Sequence, residues 1–170
     1  MAGTIEAANR PEGGAKFTLT LPLRWLGDDA VKPLPAVKSA GRSDFSGHRV
    51  LIVEDNDLNM EIALEFLQSL GLVCEGAENG RRAVEMFNAS TPGHYEMILM
   101  DVRMPVMNGY EATREIRRLA REDARQIPIV AMTADAFSSD IKMALNAGMN
   151  EHLSKPVSIE RLQEVLGQWL

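Results

Sequence analysis

Apolar and polar residues form two kinds of block from residue 48 to the end of the chain. Short continuous apolar runs, typical of strands buried on both faces, fall at residues 50–53, 97–100 and 129–132, and two less regular segments, at 72–77 and 152–153, are predicted to be the second and fifth strands. Between them apolar residues recur every three or four positions, which predicts helices at about 57–71, 82–89, 110–121, 137–148 and from 158 onward. Five alternating strand–helix units predict an α/β fold, a doubly wound parallel sheet covered by helices on both faces.

The apolar stripes of these helices are predicted to belong to the core. The first helix carries Leu58, Ile62, Phe66 and Leu70. The fourth helix carries Phe137, Ile141 and Ala144, and the last carries Leu162, Val165, Leu166 and Trp169.

The N-terminal region has a different pattern. Over residues 3–21, Ile5 and Phe17 lie in two alternating segments with turn residues at 10–14 between them, which predicts a β-hairpin. A lone hairpin is marginal in water, so it needs to pack on something or pair with another copy. Residues 27–47, with two prolines, three glycines and three serines, are typical of a linker. The predicted units are therefore 1–26, 27–47 and 48–170.

Composition narrows the class of partner. The net charge is -6, from 18 basic and 24 acidic residues, which argues against nucleic acid. A single cysteine, Cys74, cannot form an internal disulfide and fits a reducing compartment, here the cytoplasm. The chain has no 18-residue apolar run, so we expect no membrane span in it, and its first residues lack the features of a signal peptide.

Polar residues follow four of the five predicted strands. Glu54 and Asp55 follow the first, Asp101 the third, Thr133 the fourth and Lys155 the fifth. Each alone is an ordinary cap, turn or surface residue. Because parallel strands end on the same side of a sheet, the five should meet at its carboxyl edge, where ligands bind in open α/β sheets.

The chemistry of this set indicates phosphoryl transfer. Three carboxylates packed together repel one another, and a hard divalent cation such as Mg²⁺ relieves that repulsion. An ionised Asp101 is then a nucleophile toward phosphorus. Lys155 supplies a compact positive charge and Thr133 a hydroxyl donor for the phosphoryl oxygens.

Residues 48–170 resemble the receiver domain of two-component response regulators. The resemblance rests on the segments VEDN at 53–56, MDVRMPVMNG at 100–109, TA at 133–134 and KP at 155–156. It implies a flavodoxin-like sheet of order 2-1-3-4-5 and a cis peptide bond between Lys155 and Pro156. It also implies a phosphoryl group on Asp101, delivered by a histidine kinase or a histidine phosphotransfer domain. The implied ligands of Mg²⁺ (or Mn²⁺) are Glu54, Asp55, Asp101 and the Arg103 carbonyl.

The same resemblance assigns residues that would switch or time the signal. Thr133 and Lys155 would contact the phosphoryl group and trigger the switch. His152 stands three residues before the lysine, where the family usually has Tyr or Phe, and its ring is smaller, polar and titratable. Arg103 lies two residues after Asp101, and Asp135 lies two residues after Thr133. In receivers, the side chains at these two positions flank the path of the attacking water. We expect this pair to tune the lifetime of the phosphorylated state.

Residues 3–22 resemble the last two strands of a sensor histidine kinase ATP-binding domain, through GTIEAAN at 3–9, GGAKF at 13–17 and LP at 21–22. The parts of that domain that hold ATP are not in this chain, so we do not expect a kinase on its own. Kinase tail, linker and receiver together resemble the C-terminal end of a hybrid histidine kinase. No DNA-binding output domain follows, which favours a phosphorelay or docking role. A dimer through the hairpin or a receiver face is possible.

Two other interpretations remain. A receiver-like protein-binding module that is no longer phosphorylated would have the same fold, but degeneration usually removes one member of the site. An aspartate-based phosphatase would place its nucleophile on the first strand with a second acid two residues later. Here that strand ends in the adjacent acids Glu54 and Asp55.

Overall fold

The computed structural model describes residues 3–11, 13–20, 45–134 and 138–170, with only the backbone for 138–140. Two compact units divide between Gly41 and Arg42. Phe45, inside the stretch predicted to be a linker, is 5% exposed and belongs to the core of the second unit. The predicted linker therefore overlaps the packed unit at this residue.

The first unit contains the predicted hairpin. Strands β1 (Thr4–Asn9) and β2 (Ala15–Thr20) pair antiparallel, with Ile5 opposite Leu19 and Ala7 opposite Phe17. Side chains alternate across a strand, so these four lie on one face and make it apolar. Every residue of both strands is exposed within the described part of the chain.

The second unit alternates five strands with five helices. In chain order they are β3 (Arg49–Val53), α1 (Asp57–Ser69), β4 (Val73–Ala77), α2 (Gly80–Ala89), β5 (Met97–Asp101), α3 (Gly109–Arg118), β6 (Ile129–Thr133), α4 (Ser138–Ala147), β7 (Glu151–Ser154) and α5 (Ile159–Trp169). Asparagine or serine side chains cap four of the helices, at Asn56, Asn79, Asn108 and Ser158. Each cap fixes where a helix starts after a strand-end loop.

The five strands form one parallel sheet in the order β4-β3-β5-β6-β7. Counted within this unit, that is 2-1-3-4-5, so the predicted topology is confirmed. Alternate residues of β5 belong to two different apolar clusters. Ile98 and Met100 pack in one cluster, and Met97 and Leu99 pack in the other. The two clusters lie on opposite faces of the sheet, which makes the fold doubly wound.

The predicted core stripe of α1 is wrong at two residues. Leu58 is 63% exposed and Ile62 is 57% exposed, whereas Leu67 is fully buried. The reason is geometric: each four-residue step advances about 40° beyond a full turn, so a stripe of four such residues winds away from the core. Leu58 and Ile62 therefore remain on the surface, near the start of the helix.

Helix α3 ends earlier than predicted. It stops at Arg118, where Leu119 turns to an extended backbone (ψ 142°), and a 3₁₀ helix follows at Asp123–Arg125. Arg121, predicted to be helical, instead binds backbone carbonyls beyond α2 and the carboxylate of Asp123. Phe137 lies outside the described residues. Within the described ranges, no helix has both the length and the apolar character needed to cross a bilayer.

Candidate phosphoacceptor and metal site

The carboxyl edge of the sheet gathers the polar residues that follow its strands. Glu54 and Asp55 follow β3 directly, Asp101 is the last residue of β5, and Thr133 is the last residue of β6. Lys155 follows β7, and its backbone N–H donates to the Thr133 carbonyl at 2.7 Å. The edge is therefore assembled by register: neighbouring parallel strands end together and point their last side chains into one cleft.

Three carboxylates meet in this cleft. One oxygen each from Glu54, Asp55 and Asp101 lies within 4.8 Å of the others. Glu54 and Asp101 are buried, at 5% and 6% exposure, while Asp55 is exposed to solvent. Like charges this close repel one another, and oxygen-only ligands open to water on one side suit a hard divalent cation such as Mg²⁺. The donor set therefore fits a magnesium ion.

Lys155 bridges two of the three carboxylates. Its Nζ lies 2.6 Å from Asp101 Oδ2 and 2.5 Å from Glu54 Oε2. Burial by itself lowers the pKa of Lys155, but the hydrogen bonds to Asp101 and Glu54 and the negative charges of these two groups together outweigh burial and raise the pKa. The lysine is therefore held as a cation. One ammonium against three carboxylates leaves the cleft with an excess of negative charge.

Asp101 has both carboxylate oxygens occupied. Oδ2 accepts from Lys155, and Oδ1 accepts from the backbone N–H of Arg103 at 3.1 Å. Burial raises the pKa of Asp101, and these hydrogen bonds only partly oppose the rise. Additional positive charge in the cleft favours the ionised form. Once ionised, this fixed carboxylate has the chemistry of a nucleophile toward phosphorus.

The remaining predicted site residues differ in placement. Thr133 is 3% exposed at the end of β6, and Arg103 is exposed just past β5. His152 lies in β7 opposite Ala131, with its Nδ1 3.3 Å from Glu151 Oε1 and its side chain 32% exposed. The Lys155–Pro156 peptide bond is cis, as the resemblance implied. Asp135 lies outside the described residues, so the predicted Arg103–Asp135 pair is not described.

One residue of the cleft was missed from the sequence. Asn59 donates from its side-chain amide to Glu54 Oε1 at 2.9 Å. It lies in the first turn of α1, and helix side chains lean toward the N-terminus of their helix. A polar residue three positions after the helix cap, with the cap itself just after a strand-end acid, is the signal that would have found it.

An apolar groove of about 620 Å³ adjoins the cleft between α1 and α5. Glu54 and Lys155 line one end of it, and apolar side chains such as Ile62, Phe66 and Ile159 line the rest. Leu58, Ile62 and Ile159 are 63%, 57% and 52% exposed. An exposed apolar surface thus borders the charged cleft, as at many protein interaction sites.

Comparison with known proteins gives the family. Residues 50–167 match the response regulator receiver domain. The aerobic respiration control sensor protein ArcB of Escherichia coli (strain K12) is 36% identical over 174 residues, covering 98% of this chain but 20% of ArcB. The chain thus spans about a fifth of that relative.

Two solved structures have the same fold and recognisable sequence similarity. The receiver domain of sensor histidine kinase PA1611 from Pseudomonas aeruginosa PAO1, with magnesium in its active site cleft, is 42% identical, with a TM-score of 0.65 over 73% of this chain and 98% of that one. The receiver domain of Ssk1 from Saccharomyces cerevisiae, crystallised with the histidine phosphotransfer protein Ypd1, is 33% identical, with a TM-score of 0.64 over 72% and 88%.

Three observations identify the family of this chain: the doubly wound sheet, the acidic cleft at its carboxyl edge, and the family match over most of the chain. The chain belongs to the response regulator receiver domain family of two-component phosphorelay signalling.

Proposed function

We propose that this chain accepts a phosphoryl group on Asp101 from a phosphohistidine, in a reaction that depends on Mg²⁺. The observation that carries the proposal is the buried Asp101 carboxylate, held by Lys155 beside two further acids at the carboxyl edge. An Asp101 oxygen attacks phosphorus and forms an acyl phosphate. The phosphorus–nitrogen bond breaks, and the donor imidazole keeps its electron pair.

Glu54, Asp55, Asp101 and the backbone carbonyl of Arg103 are the proposed ligands of the metal. A bound Mg²⁺ would neutralise the phosphoryl oxygens as charge develops. The other groups come from the chain itself. Lys155 neutralises a phosphoryl oxygen once it leaves Glu54 and Asp101, and Thr133 donates its hydroxyl. Exchange of the Lys155 ion pairs for contacts to the phosphoryl group would couple phosphorylation to movement after β6 and β7.

His152 is the proposed switch residue, with Thr133, in place of the usual larger aromatic ring. Its contact with Glu151, at 3.3 Å between Nδ1 and Oε1, would have to rearrange if the ring moved inward. Arg103 is proposed to slow hydrolysis of the acyl phosphate by covering the path of water to phosphorus, in partnership with Asp135. The exposed position of Arg103 just past Asp101 supports this role.

The phosphoryl donor is proposed to be a histidine kinase or a histidine phosphotransfer domain. Such a donor has to bring its histidine to the cleft, so its surface must cover the residues around the cleft mouth. Ile62 and Ile159 are exposed and line the apolar groove beside the cleft, and Leu58 is exposed one helical turn before Ile62. Ssk1, a relative by structure, was crystallised with a histidine phosphotransfer protein, which supports a partner of this kind.

We propose that the parent protein is a hybrid histidine kinase whose receiver works in the cytoplasm. The chain matches ArcB over 98% of its length, which includes the hairpin region. We propose the hairpin as the tail of the kinase ATP-binding domain, and its apolar face as the surface that packs there or forms a dimer. The net charge of -6 supports protein rather than nucleic acid as the partner.

Phosphotransfer from a radiolabelled histidine phosphotransfer domain tests the proposed function. The wild-type chain should take the label only with Mg²⁺ present, and Asp101→Asn should take none. Leu58→Glu and Ile62→Glu should slow transfer about tenfold, which corresponds to ~1.4 kcal/mol. Both should react normally with acetyl phosphate, which needs no docking.

Leu145→Glu is a matched control for these two variants, since Leu145 is 55% exposed but lies on α4. Labelling of Asp101→Asn would contradict the acceptor assignment. Equal transfer rates in the Leu58, Ile62 and Leu145 variants would contradict the docking surface.

A further inference from the structure

Both oxygens of the Glu54 carboxylate have a donor, and the two donors come from different parts of the fold. Asn59, in the first turn of α1, donates its amide N–H to Oε1 at 2.9 Å. Lys155, after β7, donates to Oε2 at 2.5 Å. Two contacts on opposite oxygens fix the plane of a carboxylate, which one contact leaves free to rotate.

The restraint matters for metal binding because the glutamate side chain is long. Glutamate has one more rotatable bond than the aspartates beside it, and restraining it as a ligand costs more conformational entropy. The donor is itself restrained, because the backbone N–H of Asn59 donates to the capping side chain of Asn56 at 3.0 Å. The cap of α1 therefore sets the position of the amide that holds Glu54.

Asn59 differs from Lys155 in charge. The ammonium of Lys155 neutralises Glu54 and has to be displaced or shared when a cation or a phosphoryl group enters. The neutral amide of Asn59 leaves the charge on Glu54 intact. A carboxylate oxygen has two lone pairs, so Oε1 can accept the amide N–H and still offer a pair to a metal.

We propose that Asn59 is a positioning residue for the metal site, holding Glu54 in the orientation in which it binds Mg²⁺. This inference rests on the proposed function, because it requires Glu54 to be a ligand. Hydrogen-bond partners of metal ligands typically contribute about 10- to 100-fold to metal affinity. We expect about tenfold for Asn59, at the lower end of this range.

The test compares Asn59→Ala and Asn59→Leu with the wild-type chain; the leucine variant keeps the side-chain volume but has no donor. Mg²⁺ binding is measured by calorimetry without a phosphodonor. The rate of phosphorylation by acetyl phosphate is measured against Mg²⁺ concentration. In both variants the Mg²⁺ dissociation constant and the half-saturating concentration should rise about tenfold, while the rate at saturating Mg²⁺ stays as in wild type. Gln68→Ala, exposed near the other end of α1, is the control and should change neither.

A second background separates positioning from a purely structural role in the helix. In Glu54→Asp the carboxylate is one methylene shorter, so the amide of Asn59 no longer reaches it. Adding Asn59→Ala to that background should then change Mg²⁺ affinity less than twofold. A structural role would weaken binding by the same factor in both backgrounds, and that result would overturn the proposal.

Failure of the inference and failure of the proposed function give different results. If the wild-type chain binds Mg²⁺ and Asn59→Ala binds it equally well, only the role of Asn59 is wrong. If the wild-type chain shows no Mg²⁺ binding, both the proposed metal site and the proposed role of Asn59 are wrong.

Discussion

The two edges of the parallel sheet both hold poorly exposed charge, but they balance it differently. At the amino edge, Arg121 binds Asp123 through two hydrogen bonds of 2.7 Å, and its side chain is 11% exposed. Arg121 also donates to the carbonyls of Phe87, Ser90 and Thr91. At the carboxyl edge, Lys155 pairs with Glu54 and Asp101, and a third carboxylate, that of Asp55, lies within 4.8 Å of theirs.

The pKa shifts at the two edges have opposite signs. The hydrogen bond from Arg121 lowers the pKa of Asp123, whereas burial raises the pKa of Asp101 in spite of Lys155. A pair matched one to one stabilises the fold and requires no ligand. A buried excess of one charge is costly for the fold and ready to bind a cation. The edge with the candidate site is therefore distinguished by unbalanced charge, since both edges contain charged groups.

The largest expected effect is at the unbalanced edge. Asp55→Ala should weaken Mg²⁺ binding by more than about 100-fold, since even partners of metal ligands contribute about 10- to 100-fold. The free energy of unfolding should stay the same or rise, because one of three repelling charges is gone. Calorimetric titration and urea unfolding measure the two quantities. An unchanged Mg²⁺ titration would rule out the proposed site.

Asp123→Asn should show the reverse behaviour. Loss of the charged partner of Arg121 should reduce the free energy of unfolding by about 2 kcal/mol and leave Mg²⁺ binding unchanged. Because the folded pKa of Asp123 is lowered, its contribution is complete above the unfolded value near 3.8 and is lost as pH falls through the folded value. Urea unfolding from pH 7 to pH 2 should therefore show a constant difference between the wild type and Asp123→Asn above about pH 4 and convergence below it. A constant difference at all pH values would contradict the pairing.

Arg103→Asn should shorten the lifetime of the phosphorylated state. If Arg103 covers the path of water, its removal lowers the barrier to hydrolysis, and a change of ~1.4 kcal/mol is tenfold in rate. Asp135→Ala should accelerate decay less, because the arginine remains. The decay of phospho-Asp101 is followed in wild type and both variants, with folding checked separately. Equal decay rates in the wild type and both variants would contradict the covering-pair hypothesis. Such a result would not affect the proposal that Asp101 accepts the phosphoryl group.

The smallest effect concerns backbone strain beside the functional edge. Val106 has φ +68°, is 83% exposed, and is the central residue of a turn in which the Met107 N–H donates to the Pro105 carbonyl at 2.7 Å. A β-branched residue in this conformation is strained. Val106→Gly should stabilise the fold by about 1 kcal/mol in urea unfolding. Val106→Ala keeps a Cβ, so its free energy of unfolding should rise less than that of Val106→Gly. An equal rise in both variants would contradict the strain argument.

Much of the carboxyl edge could be predicted because it depends on local pattern. Apolar runs mark β3, β5 and β6, and β7 follows as the strand of the fifth strand–helix unit. Because parallel strands end at one edge, Glu54, Asp101 and Lys155 are predicted to meet there. The strand order came from the family resemblance, and the sheet confirms it.

What could not be predicted depends on distant contacts. Leu58 and Ile62 follow the periodicity of a core stripe, and only the packing of α1 shows that they are exposed. The early end of α3 depends on Arg121 binding groups beyond α2, about thirty residues back along the chain. The position of Asn59, three residues after the helix cap, indicates a place near the strand-end acids, but its contact depends on which way the Glu54 side chain points.

The measurement that tests the central claim most directly is the location of the phosphoryl group. The wild-type chain is treated with acetyl phosphate and Mg²⁺, the acyl phosphate is trapped with borohydride, and the modified residue is mapped by mass spectrometry. Our account predicts modification of Asp101 alone, and none when Mg²⁺ is chelated. Modification of Glu54, of Asp55 or of any residue other than Asp101 would contradict it.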